Sequence, residues 1–389
     1  MKKKIVYGII LFSLCILNSS ISFAQWQQTS LDSIVVNTLV ASGNNIFAGT
    51  NSGGVYLSSN GGSAWTAINS GLKDSSDVFA LATIDGYLFA ATDSGGLYVS
   101  SINDYNWTAV NNGLPATNDV ISLFASGVNV LAGTYGNGVF QSANLGANWD
   151  ATGLTNVDVL SLAANGNTIF AGTDSGAVYM SSDNGSSWDT VNTEIADTEN
   201  VLSLAIIGAN VFAGTDVGGV YVSTNSGNSW TATGLTNSYV SALAVNGITT
   251  YAGTTNGVFL TSNNGQAWTL SGLSTTVVSS LIVCNGYLYA GTYSGVWKAP
   301  LANLGLNEIK ENNIAVYPNP TSGKFQITSP KPQVSSIEIF NALGEKICSL
   351  PITDYSSPIS INIADQPNGV YILKITTVNG IEIKEIVKE

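Results

Sequence analysis

The chain has 389 residues, a formal net charge of −13 and 12 basic residues, all of them lysines, and it contains no His. Between positions 25 and 309 the basic residues are Lys73 and Lys298, so this region repels phosphate backbones and anionic membrane surfaces, and nucleic-acid binding is excluded. The lack of His also excludes a His-activated nucleophile and a Cys/His zinc site.

The N-terminus has the pattern of a secretory signal peptide. Lysines at positions 2–4 precede an apolar run over residues 5–17, and Ser22 and Ala24 form a small-residue cleavage site before Gln25. The apolar run is too short to span a bilayer as a helix. We therefore expect residues 1–24 to be removed during export and the mature chain to lack a transmembrane anchor.

One short phrase recurs through the region that follows. Ala48-Gly49-Thr50 returns in copies that start at Ala132, Ala171, Ala213, Ala252 and Ala290, and Ala90-Ala91-Thr92 is a degenerate copy. Successive starts lie 38 to 42 residues apart. A strand-rich, Gly-punctuated period near 40 residues is typical of a radial array of small sheets.

Each repeat has the pattern of four short strands. In the first repeat, alternating apolar and polar residues separated by Gly/Asn turns predict strands over residues 36–41, 45–50, 55–59 and 64–69. Four antiparallel strands make a propeller blade, so residues 25–300 are predicted to form a seven-bladed β-propeller in an all-β chain. The seventh repeat lacks a fourth strand, and Gln25-Trp26-Gln27 is similar to the fourth strands of other repeats. We expect this N-terminal segment to complete the last blade and close the ring.

A second signature follows the third strand of most repeats. Ser58, Asn60, Gly62 and Trp65 return at the same spacing in four further repeats, the last of which has Thr in place of Ser. The signature pairs are Asn60 and Trp65, Asn144 and Trp149, Asp183 and Trp188, Asn225 and Trp230, and Asn263 and Trp268. The signature resembles the Asp-box, or BNR, repeat of sialidase-like and xyloglucanase-like propellers. We interpret it as structural: Asn or Asp bonds its own turn, Gly takes a positive φ, and Trp packs between blades.

Two positions of each repeat lie at one end of such a ring: the residue before the first strand, and the turn between the second and third strands. The first position holds Asp77, Asp119, Asp158 and Tyr239, and the turn holds Asp93, Tyr135, Asp174, Asp216 and Tyr293. Clustered carboxylates could hold Ca²⁺, bind sugar hydroxyls or raise one another's pKa, and tyrosines could stack on sugar rings. Alternatively, each Asp bonds turn amides and the tyrosines cover blade edges.

The composition also excludes one class of propeller enzyme and leaves another open. In sialidase-like sites, several Arg side chains hold the carboxylate of the substrate. This chain contains no Arg, so sialidase activity is excluded. A glycoside hydrolase with a carboxylate pair stays an alternative, with Asp77, Asp119 and Asp158 as candidate catalytic residues. The xyloglucanase-like enzymes pair two propellers around a cleft, whereas this chain holds one. We therefore favour a binding protein over an enzyme; no cofactor is required, and Ca²⁺ stays an open option.

The composition changes near residue 299, where Lys, Glu, Pro and Ile replace Gly, Thr and Asn. A linker over residues 301–312 is predicted to lead to a small Ig-like β-sandwich at residues 313–389, with strands at 324–329, 335–341, 346–351, 357–363, 369–376 and 380–387. Its motif residues are Tyr317, Pro318, Asn319, Pro320, Gly323, Gly344, Gly369 and Tyr371. Their order, spacing and C-terminal position resemble the type A C-terminal sorting domain of type IX secretion.

This resemblance implies a partner and a destination. Such a chain is exported by the type IX secretion machinery of a Bacteroidota-type bacterium and is then released or attached to the outer-membrane surface. We predict a monomeric, secreted or surface-attached propeller that binds a carbohydrate or a surface protein. A glycoside hydrolase acting on neutral polysaccharide and a structural envelope component are the alternatives.

Overall fold

The computed structural model describes residues 26–304 and 315–389, except for 74–76, 94, 116–118, 192–193, 197, 329–333, 342–343, 352–357 and 378–379. The predicted signal peptide (1–24), Gln25 and the linker beyond residue 304 lie outside the described residues. The chain divides into two compact units, residues 1–306 and 307–389, and both are built almost entirely from strands. In the described part, the one helix is a 3-10 turn, Leu301–Asn303. No helix there is long and apolar enough to cross a membrane.

The first unit is a series of four-stranded antiparallel sheets that follow one another along the chain after β1 (Gln27–Asp32). The first sheet contains β2 (Val36–Ser42), β3 (Asn45–Thr50), β4 (Gly54–Ser58) and β5 (Thr66–Ala67). The second contains β6 (Val78–Ile84), β7 (Tyr87–Thr92), β8 (Gly96–Ser101) and β9 (Thr108–Ala109). The third contains β10 (Val120–Ser126), β11 (Asn129–Thr134), β12 (Gly138–Ser142) and β13 (Asp150–Ala151).

The next three sheets repeat this order. The fourth contains β14 (Val159–Asn165), β15 (Thr168–Thr173), β16 (Val178–Ser181) and β17 (Asp189–Thr190). The fifth contains β18 (Val201–Ile207), β19 (Asn210–Thr215), β20 (Gly219–Ser223) and β21 (Thr231–Thr236). The sixth contains β22 (Val240–Asn246), β23 (Thr249–Thr254), β24 (Gly257–Thr261) and β25 (Thr269–Gly272).

The seventh sheet takes its outer strand from the start of the chain. It contains β26 (Val278–Cys284), β27 (Tyr287–Thr292) and β28 (Gly295–Pro300), and β1 pairs antiparallel with β28. Gln27 lies opposite Lys298 in this pairing. Trp26 is buried, and its indole N–H donates to the backbone oxygen of Ser271 in the sixth sheet at 2.8 Å. The N-terminal segment therefore joins the seventh sheet to the sixth.

The repeated Ala-Gly-Thr phrase lies in the second strand of each sheet, where it sets the spacing to the next sheet. In β3 every residue from Ile46 to Thr50 is buried. A Cβ added to Gly49 would lie 2.7 Å from Cγ1 of Val78 in the second sheet, so a side chain there would force the sheets apart. The Thr50 hydroxyl donates to the Gly54 oxygen at 2.8 Å and closes the turn between β3 and β4.

The first strands of the seven sheets contact one another in order, and β2 also contacts β26. The backbone N–H of Leu39 in β2 donates to the Ser280 hydroxyl in β26 at 2.9 Å. Hydrophobic clusters fill the space between consecutive sheets; one of them joins Phe47 of the first sheet to Leu81 and Leu88 of the second. The core of this propeller domain thus lies between blade-like sheets, because a single four-stranded sheet cannot bury both of its faces.

The second unit has two sheets. One contains β29 (Ala315–Tyr317), β30 (Lys324–Thr328) and β33 (Ile359–Asn362), in the order β29-β30-β33. The other contains β31 (Val334–Asn341), β32 (Lys346–Pro351), β34 (Gly369–Thr377) and β35 (Gly380–Lys388), in the order β32-β31-β34-β35. One buried cluster joins them through Phe325 and Ile361 of the first and Ile337, Leu373 and Ile375 of the second.

The end of the first unit and the start of the second show two features that the sequence analysis did not include. Leu301 and Leu304, at the start of the predicted linker, are half-buried and pack against the hydrophobic cluster that contains Leu281 and Leu288 of the seventh sheet. The strand β29 was not among the predicted strands, because its three residues are too few to show an alternating pattern.

Candidate functional site

The two positions predicted to share one end of the ring do meet in the backbone. The N–H of Asp93 donates to the oxygen of Asp77, that of Tyr135 to Asp119 and that of Asp216 to Asn200, at 2.9–3.2 Å. In the first sheet, Asn51 bonds Val35 in the same way. We call this the mouth end: the residues before each first strand and the turns between the second and third strands.

Every first strand carries a β-bulge at its second residue, next to the mouth end. A bulge re-aims a side chain, and here it turns a residue toward the neighbouring sheet. Side chains at the bulge or one residue later donate to the backbone oxygen of the first Val in the next sheet. The donors are Asn37, Ser122, Ser161, Ser203, Ser241 and Ser279, and the acceptors are Val78, Val159, Val201, Val240, Val278 and Val36. We call this set the hydrogen-bond belt.

Asp77 and Asp158 join neighbouring sheets at the mouth end. One Asp77 oxygen accepts from the backbone N–H of Ser52 at 2.5 Å, and the side-chain amide of Asn51, oriented to satisfy both of its groups, donates to both carboxylate oxygens at 2.7 and 2.6 Å. The carboxylate of Asp158 accepts from the N–H of Gly136 at 2.5 Å. Each of these carboxylates therefore bonds the turn of the preceding sheet. Such contacts match the structural alternative, in which each Asp bonds turn amides.

Asp158 also lies beside Asp174. Burial raises the pKa of the Asp174 carboxyl, and the charge of Asp158 and a side-chain hydrogen bond to it raise that pKa further. Each of these effects favours the neutral form of the Asp174 carboxyl.

A second group at the mouth end is aromatic. Tyr239 and Tyr293 have exposed fractions of 44% and 60%. Burial raises the pKa of Tyr239, and the charges of Tyr293 and Asp216 raise it further. Asp216 is held in turn by the backbone N–H and the side-chain amide of Asn200 at 2.9 and 2.8 Å.

A cavity of about 320 Å³ opens at the mouth end between the second and third sheets. Its lining consists of Phe79, Thr92, Asp93, Asp119, Ile121 and Tyr135, together with Val120. Three of the nine predicted face residues, Asp93, Asp119 and Tyr135, therefore line one cavity. Asp158 is not among the lining residues, and its carboxylate accepts from the N–H of Gly136.

Within the described residues, no group of three or more His, Cys, Asp or Glu side chains is arranged to hold a metal ion. The carboxylates of the mouth end lie in pairs or singly. The arrangement offers hydrogen-bond acceptors, negative charge and aromatic faces, which suit a ligand that brings donors.

Two residues of interest were not singled out from the sequence. Phe79 is 42% exposed at the bulge of β6, where the other sheets have Asn, Ser, Ile or Leu, so alignment of the bulges would have found it. Glu199 is buried; its Oε1 accepts from the Tyr221 hydroxyl at 3.1 Å, and its Oε2 is buried without a hydrogen-bond partner among the described residues. A buried Glu in a loop gives no signal in a single sequence.

The opposite end of the ring, which we call the turn end, carries the five signature turns. In the first, the Ser58 hydroxyl accepts from the N–H of Gly62 at 2.8 Å, and Asn60 accepts from the N–H of Ala64 at 2.9 Å. The same pair of bonds recurs around Asn144, Asp183, Asn225 and Asn263. For Asp183, bonds from Ser187 and Ser181 lower the carboxyl pKa to about 2.

Tryptophans link the sheets at the turn end. The indole N–H of Trp149 donates to the Val110 oxygen of the second sheet at 2.9 Å, and its ring meets that of Phe89 edge to face. Trp65, Trp230 and Trp268 likewise donate to the preceding sheet, to Thr29, Val191 and Thr233. Trp188 donates to Gly185 of its own turn.

In the second unit, the predicted motif residues lie near the C-terminal strand. Asn319 donates to the Glu385 oxygen and accepts from the N–H of Val387, at 2.7 and 2.9 Å. Both peptide bonds preceding Pro318 and Pro320 are cis. A Cβ on Gly323 would lie 2.6 Å from the Ala364 backbone. The remaining motif residues occupy turns or the core: Tyr317 is exposed, Gly344 and Gly369 have positive φ, and Tyr371 is buried and donates to Pro367.

Two family comparisons match parts of the chain. Residues 315–389 match the secretion system C-terminal sorting domain, and residues 80–199 match the DUF6242 beta propeller domain. No curated protein matches the chain.

Solved structures of similar fold include three from bacteria. The extracellular domain of the one-component system BT4673 from B. thetaiotaomicron is 17% identical, with a TM-score of 0.61 over 93% of this chain and 52% of that one. PorZ, a surface component of the type IX secretion system of Porphyromonas gingivalis, is 16% identical, with a TM-score of 0.57 over 90% of this chain and 59% of its own. The Niastella koreensis GH74 enzyme is 19% identical, with a TM-score of 0.56 over 71% and 44%.

These likenesses extend to the fold alone, and this chain spans about half the length of BT4673 and of the GH74 enzyme. The sorting domain supplies the destination: it indicates a secreted or cell-surface protein of a Bacteroidota-type bacterium and an interaction with the secretion machinery. The chain therefore combines a β-propeller domain with a type IX secretion C-terminal sorting domain.

Proposed function

We propose that the protein is a surface-displayed or secreted binding module that holds its ligand at the mouth end. The seven sheets of residues 25–300 would be the blades of one Asp-box propeller closed by β1, and residues 313–389 an Ig-like sorting domain. The ligand would be a carbohydrate or a surface protein.

The observation that carries this proposal is the difference in exposure between aromatic side chains at the two ends of the ring. Tyr135 and Tyr293 are each 60% exposed at the mouth end, whereas Trp149 and Trp230 at the turn end are buried. Exposed aromatic rings beside carboxylates are typical of recognition surfaces, where rings supply contact area and polar groups fix orientation.

The alternative function is a glycoside hydrolase that acts on neutral polysaccharide. Its one specific support is the GH74 enzyme, which is named as a glycoside hydrolase and has a fold similar to that of this chain. Inverting and retaining hydrolases need two carboxyl groups roughly 5 to 9.5 Å apart. Of the three candidate catalytic residues, Asp77 and Asp158 accept hydrogen bonds from turn amides, and Asp119 lines the cavity beside Asp93. Because two of the three candidates are engaged in bonds within the fold, we place binding ahead of hydrolysis.

The test measures binding of the chain from residue 25 to 389 to an array of glycans and polysaccharides and to outer-membrane surface proteins, with and without Ca²⁺. We expect a selective ligand whose binding is lost in Tyr135→Ala and Tyr293→Ala. Ile248→Ala is the matched control, because Ile248 is 73% exposed in the turn between β22 and β23 at the other end of the sixth sheet.

Two outcomes would overturn the proposal. A ligand that binds all three variants equally would move the binding surface away from the mouth end. Release of reducing ends from a polysaccharide, abolished by Asp119→Asn, would establish the hydrolase instead.

A further inference from the structure

The second sheet differs from the other six at two places, the Ala-Gly-Thr phrase of its second strand and the bulge of its first strand. Its Ala-Gly-Thr phrase reads Ala90-Ala91-Thr92, so a methyl group stands where the other sheets have a glycine. At the bulge and the next position it has Phe79 and Ala80, and neither side chain can donate a hydrogen bond. The hydrogen-bond belt therefore has no side-chain donor between the second and third sheets.

Apolar packing replaces the missing bond at this boundary. Ala80, Ala91 and Val120 belong to one buried cluster, which spans the second and third sheets. The Phe79 side chain remains 42% exposed, whereas the other six bulge residues are half-buried. The cavity at the mouth end lies at this same boundary, with Phe79 and Tyr135 as its aromatic walls.

The lining of this cavity specifies the chemistry of an occupant. Asp93 and Asp119 offer carboxylate oxygens, which only accept hydrogen bonds when ionised, and one Asp93 oxygen already accepts from the backbone N–H of Asp77 at 3.1 Å. The Thr92 hydroxyl is already committed, because it donates to the Gly96 oxygen at 3.0 Å. No lining residue is basic, and the chain carries a net charge of −13. An occupant must therefore bring hydrogen-bond donors, and a positive charge would be attracted.

The remaining lining residues favour an occupant with an apolar stem. Val120, Ile121 and Phe79 supply aliphatic and aromatic surface, and an exposed Tyr or Phe ring attracts a cation placed over its face. A neutral sugar hydroxyl both donates and accepts, and the Tyr135 phenol is the lining hydroxyl that makes no hydrogen bond to the described residues. A lysine or arginine side chain, with a cationic donor at the tip of an alkyl stem, fits this lining better.

We propose that this cavity binds a lysine or arginine side chain of a polypeptide partner. This inference rests on the proposed function, since it names the ligand class for part of the mouth end. The alkyl stem would lie against Phe79 and Ile121, and the cationic tip would bond Asp93 and Asp119. The degenerate second repeat would thus mark the position where the ring is specialised for recognition.

The experiment titrates the chain from residue 25 to 389 with a blocked Gly-Gly-Lys-Gly-Gly peptide and its Arg counterpart. The same peptide with norleucine keeps the stem without the charge. We expect the Lys and Arg peptides to bind, the norleucine peptide to bind at least tenfold more weakly, and high salt to weaken the cationic peptides selectively. Asp93→Asn and Asp119→Asn should each weaken binding about tenfold, as loss of a charge-assisted hydrogen bond does.

Two further variants separate recognition from folding. Asp85→Asn removes the same charge from an exposed turn at the other end of the second sheet, where φ is 48° and Asn fits well, so binding should be unchanged. Phe79→Ser installs the residue found at the bulges of the sixth and seventh sheets, where it donates to the next sheet. This variant should lose binding while its melting temperature stays equal or rises.

Equal binding of the lysine and norleucine peptides would overturn the inference, as would a neutral oligosaccharide whose binding is abolished by Asp93→Asn. In the second case the proposed function would survive with a different ligand class. If neither peptides nor glycans depended on any mouth-end residue, both proposals would fail.

Discussion

The two ends of the ring use the same repeat in opposite ways. At the turn end, five copies of one signature make the same bonds to their own backbone, and tryptophans join sheet to sheet. At the mouth end, equivalent positions hold Asp, Asn, Tyr, Thr or Val, and several aromatic rings are exposed. A regular end that satisfies its own polar groups can support an irregular end whose side chains are available for a ligand.

The largest test of this contrast removes the strand that closes the ring. Deletion of residues 25–30 takes away buried Trp26 and most of β1, and it exposes the edge of β28. Loss of one buried Trp side chain costs about 3–5 kcal/mol, so the free energy of unfolding should fall by more than about 3 kcal/mol. Chemical denaturation measures this fall. An unchanged unfolding curve would show that β1 is dispensable.

The next test compares two aromatic residues of the third sheet. Trp149→Ala removes a buried side chain and its bond to Val110, and should lower the free energy of unfolding by about 3–5 kcal/mol. Tyr135→Ala removes an exposed ring and should change it by less than about 0.5 kcal/mol. Urea titrations of both variants measure the difference. Equal losses would mean that the mouth end is as structural as the turn end.

A smaller effect is expected at the carboxylate pair. The folded pKa of Asp174 is raised, so the folded protein loses stability as the pH rises above the ordinary value of 3.8. Asp174→Asn removes this dependence and should be more stable than the wild type at pH 7, by less than about 1 kcal/mol because Asp174 is exposed. The two proteins should converge below pH 4. A variant less stable than wild type at pH 7 would show that the charge of Asp174 is needed.

The smallest effect concerns the one acidic signature turn. The pKa of Asp183 is lowered to about 2, so its contribution to stability is complete above the ordinary value of 3.8 and is lost as the pH falls toward 2. Asp183→Asn supplies the residue of the other four turns and should lack this acid-dependent loss. Thermal unfolding between pH 5 and 2 measures it, and parallel curves for both proteins would contradict the assignment.

Much of the strand pattern could be predicted, because seven repeats show the same order of strands and turns. The second strand of the first sheet has the predicted bounds, residues 45–50, since Gly/Asn turns flank it on both sides. The fourth strand was predicted over residues 64–69 but pairs only at Thr66–Ala67, because the backbone N–H of Ile68 bonds Val55 outside the regular ladder. Such details depend on how the outer strand twists away from its neighbour.

The candidate site could be predicted in position but not in detail. The meeting of Asp77 with Asp93 follows from the topology, whereas the contact of Asp77 with Ser52 depends on the distance between sheets, which no single sequence reveals. Phe79 was missed because one apolar residue in an apolar strand attracts no notice. Its position at a bulge is a property of the pairing with β7.

The pairing of β1 with β28 also joins the two ends of the propeller domain's sequence. Gln28 donates to the Ser294 oxygen across a sequence separation of 266 positions, so this contact cannot form until nearly the whole domain has been synthesised. The entropic cost of closing so long a loop rises only with the logarithm of its length, so it lowers the stability of the folded domain only modestly. Contacts between residues so far apart in sequence slow folding, and the pairing of β1 with β28 covers a strand edge that would otherwise be open to another chain.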